Sequence, residues 1–361
     1  MKCLPSNKLP HAHGNILHDW HAEIIAIRAF NRYLLDQCLL ISTPPYPTSP
    51  FIRQLTSQDH AKSPSEQQPF TIRDHVSIHM YCSEAPCGDA SMELTMALQP
   101  DATPWTSAPP TLQTAIPSPS LEPTTLSLRG RSNFSHLGIV RAKPSRPDAP
   151  PTHSKSCTDK LCLKQATSLL SSTTSLLMSP RNAYIKTLVL PESQLVAGAC
   201  ERAFAPTGRL KELNAGGWTG GYALNPFTVQ PTSREFTWTR RARPAAEKAV
   251  PSNLSAVWTP NWQETLIGGV LQGRKQTDPR GASRISRRGM WMEAIRLAGQ
   301  LGIPAVLDVL RKKTYGDTKT GEEVESRERV KSDVRRVLGG WVVNAGDDDF
   351  HISDLNSTSP P

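Results

Sequence analysis

The chain has 361 residues, of which 37% are hydrophobic, and this length suits one large domain or two small ones. Its formal charge of +9 favours a polyanionic partner such as nucleic acid, although charge alone serves solubility equally well. No segment approaches the roughly 20 apolar residues of a membrane-spanning helix, and residues 1–13 lack the apolar run of a signal peptide, so neither a membrane span nor a secretory leader is expected.

The first predicted element is a helix over residues 20–38, where mostly apolar residues recur at three-to-four spacing. Asp19 is its expected N-cap. A strand follows over residues 75–82, where apolar and polar residues alternate, and a short turn leads into a second helix over residues 87–98. The order helix, strand, helix indicates an α/β layer fold.

The rest of the chain mixes low-complexity and periodic segments. Residues 99–126 form a Pro/Ser/Thr-rich insertion that we expect to be a mobile surface loop, and residues 351–361 form a tail that we expect to be disordered. A last helix is expected to end at Gly339 and Gly340. One domain is expected over residues 1–350. The other predicted elements are helices over 156–178, 193–204 and 280–300 and a strand over 184–190.

Three short segments carry residues typical of a metal site: His21-Ala22-Glu23, Pro86-Cys87-Gly88 and residues 156–160 (SCTDK). Residues two apart do not share a helix face, so His21 and Glu23 can converge only at the start of a helix. Cys87 is also expected at a helix start, where unpaired N–H groups and the helix dipole favour the thiolate that zinc binds.

The signature of zinc nucleobase deaminases is H-x-E followed by P-C-x-x-C. The first half fits this chain, but position 90 is Ala and not Cys. A catalytic zinc needs three protein ligands, so the residues alone leave Cys82 and Cys157 as alternatives for the third ligand.

The other cysteines and histidines have simpler interpretations. With no secretory signal, an odd number of scattered cysteines predicts reduced thiols and an intracellular protein, in the nucleus, the cytoplasm or both. Cys3, Cys38, Cys162 and Cys200 are expected to fill the interior as small hydrophobic residues.

Segments along nearly the whole chain resemble, in order, the tRNA-specific adenosine deaminases of eukaryotes, and those of filamentous fungi most. These enzymes belong to the adenosine deaminase/editase family. The resemblance implies a cytidine-deaminase-like three-layer α/β/α sandwich with a zinc site at helix N-termini and a helical C-terminal part. The segments are CLP (3–5), HAEIIAIRAFNRYL (21–34), PCGDASME (86–93), RAKPSRPD (141–148), SCTDK (156–160), LQGRKQTDPRGAS (271–283) and GGWVVNAGDDDF (339–350).

The resemblance selects Cys157 over Cys82, so it implies zinc bound by His21, Cys87 and Cys157. Glu23 is then the group that moves protons while adenosine is hydrolysed to inosine. The implied substrate is tRNA, at the adenosine directly 3′ of the anticodon of tRNA-Ala, where a loop base is easily unstacked. A monomer is expected.

The family also buries inositol hexakisphosphate among basic and aromatic side chains, which requires many charge-assisted contacts. Asp19 and Lys160 would link this polyanion to the zinc site. Contacts with the phosphates of RNA are expected separately, from Lys2 and from the basic loop residues Arg141, Lys143 and Arg146. By position, the resemblance implies as partners of the polyanion Arg28, Lys160, Arg287, Tyr315, Lys319 and Trp341.

Two other functions stay open. An editor of double-stranded RNA would use the same chemistry, but such enzymes usually carry separate RNA-binding modules ahead of the catalytic domain. An inactive, zinc-stabilised RNA-binding protein is favoured by the expectation that the helix and strand preceding KCLP in the family are missing. The intact His21, Glu23, Cys87 and Cys157 argue against that second alternative.

Overall fold

The structure is a computed structural model that describes residues 2–103, 128–130, 133–143, 149–239, 241 and 252–352. Most of the predicted insertion, most of the predicted tail and Arg146 lie outside these residues. The helices are α1 (Ala22–Ile41), α2 (Ser57–Lys62), α3 (Met92–Ala97), α4 (Cys157–Thr167), α5 (Ala197–Phe204), α6 (Arg287–Leu301), α7 (Pro304–Leu310) and α8 (Glu322–Leu338). The strands are β1 (Ile52–Gln54), β2 (Phe70–Ile72), β3 (Ile78–Tyr81), β4 (Leu128–Arg129), β5 (Arg141–Ala142), β6 (Ile185–Pro191), β7 (Thr228–Thr232), β8 (Leu254–Trp258), β9 (Gln263–Ile267) and β10 (Val270–Leu271).

A parallel sheet with strand order β3-β6-β7 lies at the centre of the fold. Because its strands run in one direction, their carboxyl ends meet at the same edge, where ligands bind in open α/β sheets. One buried apolar cluster joins β6 to α4, α5 and α8, and a second joins α1 to α6. The predicted α/β class is confirmed, whereas the three-layer order stays a prediction. No helix among the described residues combines the length and apolarity needed to cross a membrane.

Helix α1 begins two residues later than its apolar spacing predicts, and Asp19 is not its N-cap. Residues 2–4 and 18–20 pair as short antiparallel segments, with the N–H of Trp20 bonded to the carbonyl of Lys2 at 2.9 Å. This pairing keeps residues 18–20 extended, so His21 becomes the N-cap and Ala22 the first helical residue.

The segment after β3 also differs from the prediction. No helix begins at Cys87: a short 3-10 turn, Asp89–Ser91, precedes α3. Gly88 has a φ of +109°, and a Cβ placed there would lie 2.2 Å from Oγ of Ser156. Only glycine fits this close approach, which brings Cys87 against the start of α4.

Helix α4 ends at Thr167, well before the predicted residue 178, because Ser168 adopts a left-handed backbone with a φ of +58°. Helix α6 begins at Arg287 after the N-cap Ser286, so the predicted basic helix over 280–300 starts seven residues too early. The strand predicted at 184–190 and the last helix are confirmed, and Gly339 ends α8 with a φ of +63°.

Candidate metal centre

Three separate segments of the chain converge on one buried centre. His21 is the N-cap of α1, Cys157 is the first residue of α4, and Cys87 lies on the loop after β3. The backbone N–H of Cys157 donates to Sγ of Cys87 at 3.3 Å, and the backbone N–H of Thr158 donates to the Cys87 carbonyl at 3.0 Å. Cys87 therefore lies at the N-terminus of α4, not at the start of its own helix as its sequence suggested.

The two sulfur atoms differ in their ionisation. A hydrogen bond from the Cys157 thiol holds the pKa of the Cys87 thiol well below its usual range, with support from the nearby charges of Lys143 and His21 and against the effect of burial. Burial and this same hydrogen bond raise the pKa of Cys157. The pair therefore holds a thiolate, the form of cysteine that binds metals.

Lys143 lies inside this centre and not on the surface. Its ammonium is 3.0 Å from Nδ1 of His21, 3.2 Å from Sγ of Cys157 and 2.7 Å from Oδ2 of Asp19. The side chain is only 4% exposed. Burial opposes its charge, but Asp19 and the two cysteines raise the pKa of Lys143 well above its usual value. Lys143 is therefore a buried cation among the candidate ligands and has no surface available to an RNA phosphate.

Arg141 is also buried, at 1% exposure. Its guanidinium donates to the carbonyls of Gly130, Asn133 and His136 at 2.7 to 3.1 Å. The expectation that Arg141 and Lys143 contact RNA is therefore corrected, because a run of basic residues in a sequence does not reveal which of them are buried. The third residue of that expectation, Arg146, lies outside the described residues.

The structure adds Cys3 to the centre, a residue that the sequence suggested as interior packing. Among the described residues, Cys3, Asp19 and His21 have donor atoms that all lie within 4.8 Å of one another. The predicted ligands His21, Cys87 and Cys157 do not form such a group among the described residues, and the Lys143 ammonium contacts both His21 and Cys157.

The chemistry of these donors distinguishes the two possible ligand sets. Burial and the adjacent charge of Asp19 raise the pKa of the Cys3 thiol far above its usual value, so Cys3 stays protonated. Asp19 already accepts hydrogen bonds from Lys143, Lys160 and Ser154. An imidazole and two sulfur donors are a ligand set that zinc prefers, so the donor chemistry favours His21, Cys87 and Cys157.

Replacing Cys87 or Cys157 with serine is expected to reduce bound zinc from about one ion per chain to a small fraction of that, because a metal site loses most of its affinity when one of its protein ligands is removed. Cys3→Ser is the matched control and is expected to keep about one ion per chain. Atomic emission on protein that is folded by circular dichroism measures both. Equal zinc loss in Cys3→Ser and Cys87→Ser would show that Cys3 is a ligand.

Glu23 completes the centre from the first turn of α1. Burial and the negative charge of Cys87 raise the pKa of its carboxyl group. A carboxyl group with a raised pKa is suited both to take a proton and to give it back. Lys2 lies close enough for the charge of Glu23 to raise its pKa, although burial lowers that pKa overall. Its ammonium donates to the carbonyl of Leu254 at 2.8 Å, so Lys2 borders the centre and is partly exposed.

A large basic cavity lies next to the centre. Asp19 accepts from the His21 ring at 2.8 Å, forms an ion pair with Lys160, and so connects the centre to this cavity of about 480 Å³. The cavity gathers all six residues that the resemblance implied as polyanion partners. The basic residues that line it are Arg28, Lys155, Lys160, Lys164, Arg287, Lys319, Arg327, Lys331 and Arg335, against the carboxylates of Glu328 and Asp348.

Burial and mutual repulsion act against the charge of several of these cations. Burial and the neighbouring Lys160 and Arg335 lower the pKa of Lys155 to about 7. Burial lowers the pKa of Lys331 to about 8, with Arg327 acting in the same direction and the ion pair with Glu328 acting against it. Among the described residues, the buried Nε atoms of Arg327 and Arg335 have no hydrogen-bond partner. Such an excess of buried positive charge fits a bound polyanion.

Sequence reasoning missed five of the nine lysines and arginines that line this cavity: Lys155, Lys164, Arg327, Lys331 and Arg335. Arg327, Lys331 and Arg335 lie on one face of α8, and their spacing of four residues was a visible signal. No comparable pattern marks Lys164, which follows the metal-site motif at residues 156–160. Its ammonium donates to the carbonyls of Leu169 and Leu170.

The chain matches known proteins along most of its length. Residues 1–345 match the adenosine-deaminase (editase) domain. The tRNA-specific adenosine deaminase 1 of Schizosaccharomyces pombe is 34% identical over 353 residues, which cover 96% of this chain and 82% of that protein. The protein of the same name from Saccharomyces cerevisiae is 32% identical over 199 residues, or 53% of this chain and 44% of that protein. The human protein of that name is 35% identical over 92 residues, or 25% of this chain and 16% of that protein. The chain therefore belongs to the adenosine-deaminase (editase) family.

Proposed function

We propose that this chain is a zinc-dependent hydrolase that converts adenosine to inosine in tRNA. Its target is the adenosine directly 3′ of the anticodon in tRNA-Ala. The observation that carries the proposal is the convergence of His21, Glu23, Cys87 and Cys157 from three distant segments, within a domain that matches the family over residues 1–345. The names of the relatives in two yeasts support tRNA as the substrate.

A zinc ion held by His21, Cys87 and Cys157 would supply a water whose pKa is lowered toward neutrality. The remaining chemistry is proton transfer by the chain itself. The Glu23 carboxylate takes one proton from the attacking water and delivers it to N1 of the adenine ring. It then takes the second proton, from the hydroxyl now at C6, and delivers it to the departing amine, which leaves as ammonia. The raised pKa of Glu23 suits both halves of this transfer.

Asp19 supports this chemistry by orienting the imidazole. It accepts from the backbone N–H of His21 at 3.1 Å and from the ring at 2.8 Å, as carboxylates behind metal-binding histidines commonly do. Burial opposes its charge, but Lys143 and Lys160 hold the pKa of Asp19 well below its usual range, so the carboxylate stays ionised.

The basic cavity is proposed to hold inositol hexakisphosphate as a structural cofactor. This proposal is supported by the resemblance and by the excess of cations over carboxylates in the cavity lining. Burial lowers the pKa of Lys155 and also that of Lys331, although Lys331 pairs with Glu328. Its phosphates would contact Lys160, whose other partner is Asp19. A polyanion bound there would fix the position of Asp19 and hence of His21.

The test of the substrate is site mapping on a tRNA-Ala transcript. Inosine is read as guanosine by reverse transcriptase, so sequencing identifies each converted adenosine. We expect conversion directly 3′ of the anticodon, and none in a transcript with guanosine at that position. Conversion in long double-stranded RNA but not in tRNA-Ala would instead favour the editor of duplex RNA.

A further inference from the structure

An exposed aromatic segment lies beside the proposed active site and has no role in the chemistry above. Trp238 is 76% exposed, Phe236 is 49% exposed and Tyr81, at the end of β3, is 45% exposed. Large aromatic side chains are costly to leave in water, and a group of them usually marks a binding surface. We call residues 234–239 with Tyr81 the aromatic segment.

Hydrogen bonds fix the aromatic segment at the carboxyl-end edge of the parallel sheet. The Tyr81 hydroxyl donates to the carbonyl of Arg234 at 3.4 Å, and Ser193, which follows β6, donates to Glu235 at 2.5 Å. Within the segment, the N–H of Thr239 bonds the carbonyl of Phe236 at 2.9 Å, and Thr239 is buried. The aromatic rings are therefore presented to solvent by an anchored turn.

The same edge carries the loop that leads to Cys87. The Arg241 guanidinium donates to the carbonyl of Ser83 at 2.8 Å and to the carboxylate of Glu84 at 2.7 Å. Its third partner is Glu235 of the aromatic segment, at 2.9 Å. Arg241 thus ties the segment to Ser83, four residues before Cys87.

We propose that the aromatic segment stacks unpaired bases of the RNA substrate next to the adenosine that enters the site; this inference rests on the proposed function. Stacking on aromatic rings is how proteins hold single-stranded bases without reading their sequence. The exposed Arg234 at the start of the segment supplies a positive charge for the backbone of such a strand. Phe236 and Trp238 are the stacking residues, and neither takes part in proton transfer.

The test measures binding of a tRNA-Ala anticodon stem-loop by fluorescence anisotropy in a Glu23→Gln background, which prevents turnover. Trp238→Ala is expected to weaken binding of the stem-loop by about five-fold or more, since stacking of one base contributes at least that much. Trp238→Tyr is expected to restore most of the affinity. Binding of a blunt duplex of equal length is expected to change less than two-fold. Trp258→Ala is the matched control, because Trp258 is 71% exposed on β8, in a different sheet.

Two results would overturn the inference while leaving the proposed function intact. The first is equal stem-loop affinity for Trp238→Ala and Trp258→Ala, while the parent chain forms inosine. The second is a change in sedimentation without a change in RNA affinity, which would make the segment a contact between two copies of the chain. Failure of the parent chain both to bind the stem-loop and to form inosine would instead overturn the proposed function, and this inference with it.

Discussion

Glu23→Gln is expected to lower the rate of inosine formation by about 10²- to 10⁴-fold, the usual contribution of a positioned general acid–base group. Glutamine has nearly the same shape but cannot take a proton from water. The residue lies in the first turn of α1 beside the candidate ligands, yet it is not one of them. Zinc content and RNA affinity are therefore expected to stay within about two-fold of the parent chain, while the rate falls.

Single-turnover kinetics on saturating tRNA-Ala separates the chemical step from binding. The control is Glu322→Gln, which changes an exposed glutamate in the first turn of α8 and should leave the rate unchanged. A Glu23→Gln enzyme that retains more than one tenth of the parent rate would mean that another group carries the proton.

Inositol hexakisphosphate is expected to raise the melting temperature of the chain by about 5 °C at a hundred-fold excess over its dissociation constant. Binding at that excess adds about 2.7 kcal/mol to the free energy of unfolding, and each kcal/mol shifts the melting temperature of a chain this long by about 2 °C. The increase arises because the phosphates neutralise buried cations such as Lys155 and Lys331, whose pKa values are lowered in their present surroundings.

The double variant Lys331→Gln/Arg335→Gln separates a polyanion site from a merely basic surface. Without polyanion it should be about as stable as the parent, because the repulsion that it removes from Arg327 offsets the lost ion pair between Lys331 and Glu328. With inositol hexakisphosphate it should gain less than half of the parent's increase. Arg336→Gln is the control on the same helix, since that side chain is 74% exposed. An equal increase in all three proteins would place the polyanion elsewhere.

Short motifs were enough to single out His21, Glu23 and Cys87 as candidate site residues, but they left Cys82 and Cys157 as alternatives until the resemblance selected Cys157. The structure brings the segments of His21, Cys87 and Cys157 together. What the motifs could not give was the geometry between segments. The helix N-terminus beneath Cys87 belongs to α4, because Gly88 allows the loop to pack on Ser156.

The burial and the role of basic residues were the hardest features to predict from the sequence. Lys143 and Arg141 follow a proline-rich pattern typical of surface loops, yet both are buried, one among the candidate ligands and the other on backbone carbonyls. A buried cation needs a partner that only the fold supplies, here Asp19 for Lys143. The cavity residues of α8 were missed for a related reason, because a charged helix face usually faces water.

The most direct test of the account is nucleoside analysis of a tRNA-Ala transcript after incubation with the purified, zinc-loaded chain. We expect about one inosine per tRNA, no inosine after a chelator removes the zinc, and recovery when zinc is returned. A folded chain that carries zinc and inositol hexakisphosphate, binds the tRNA and still forms no inosine would contradict the account.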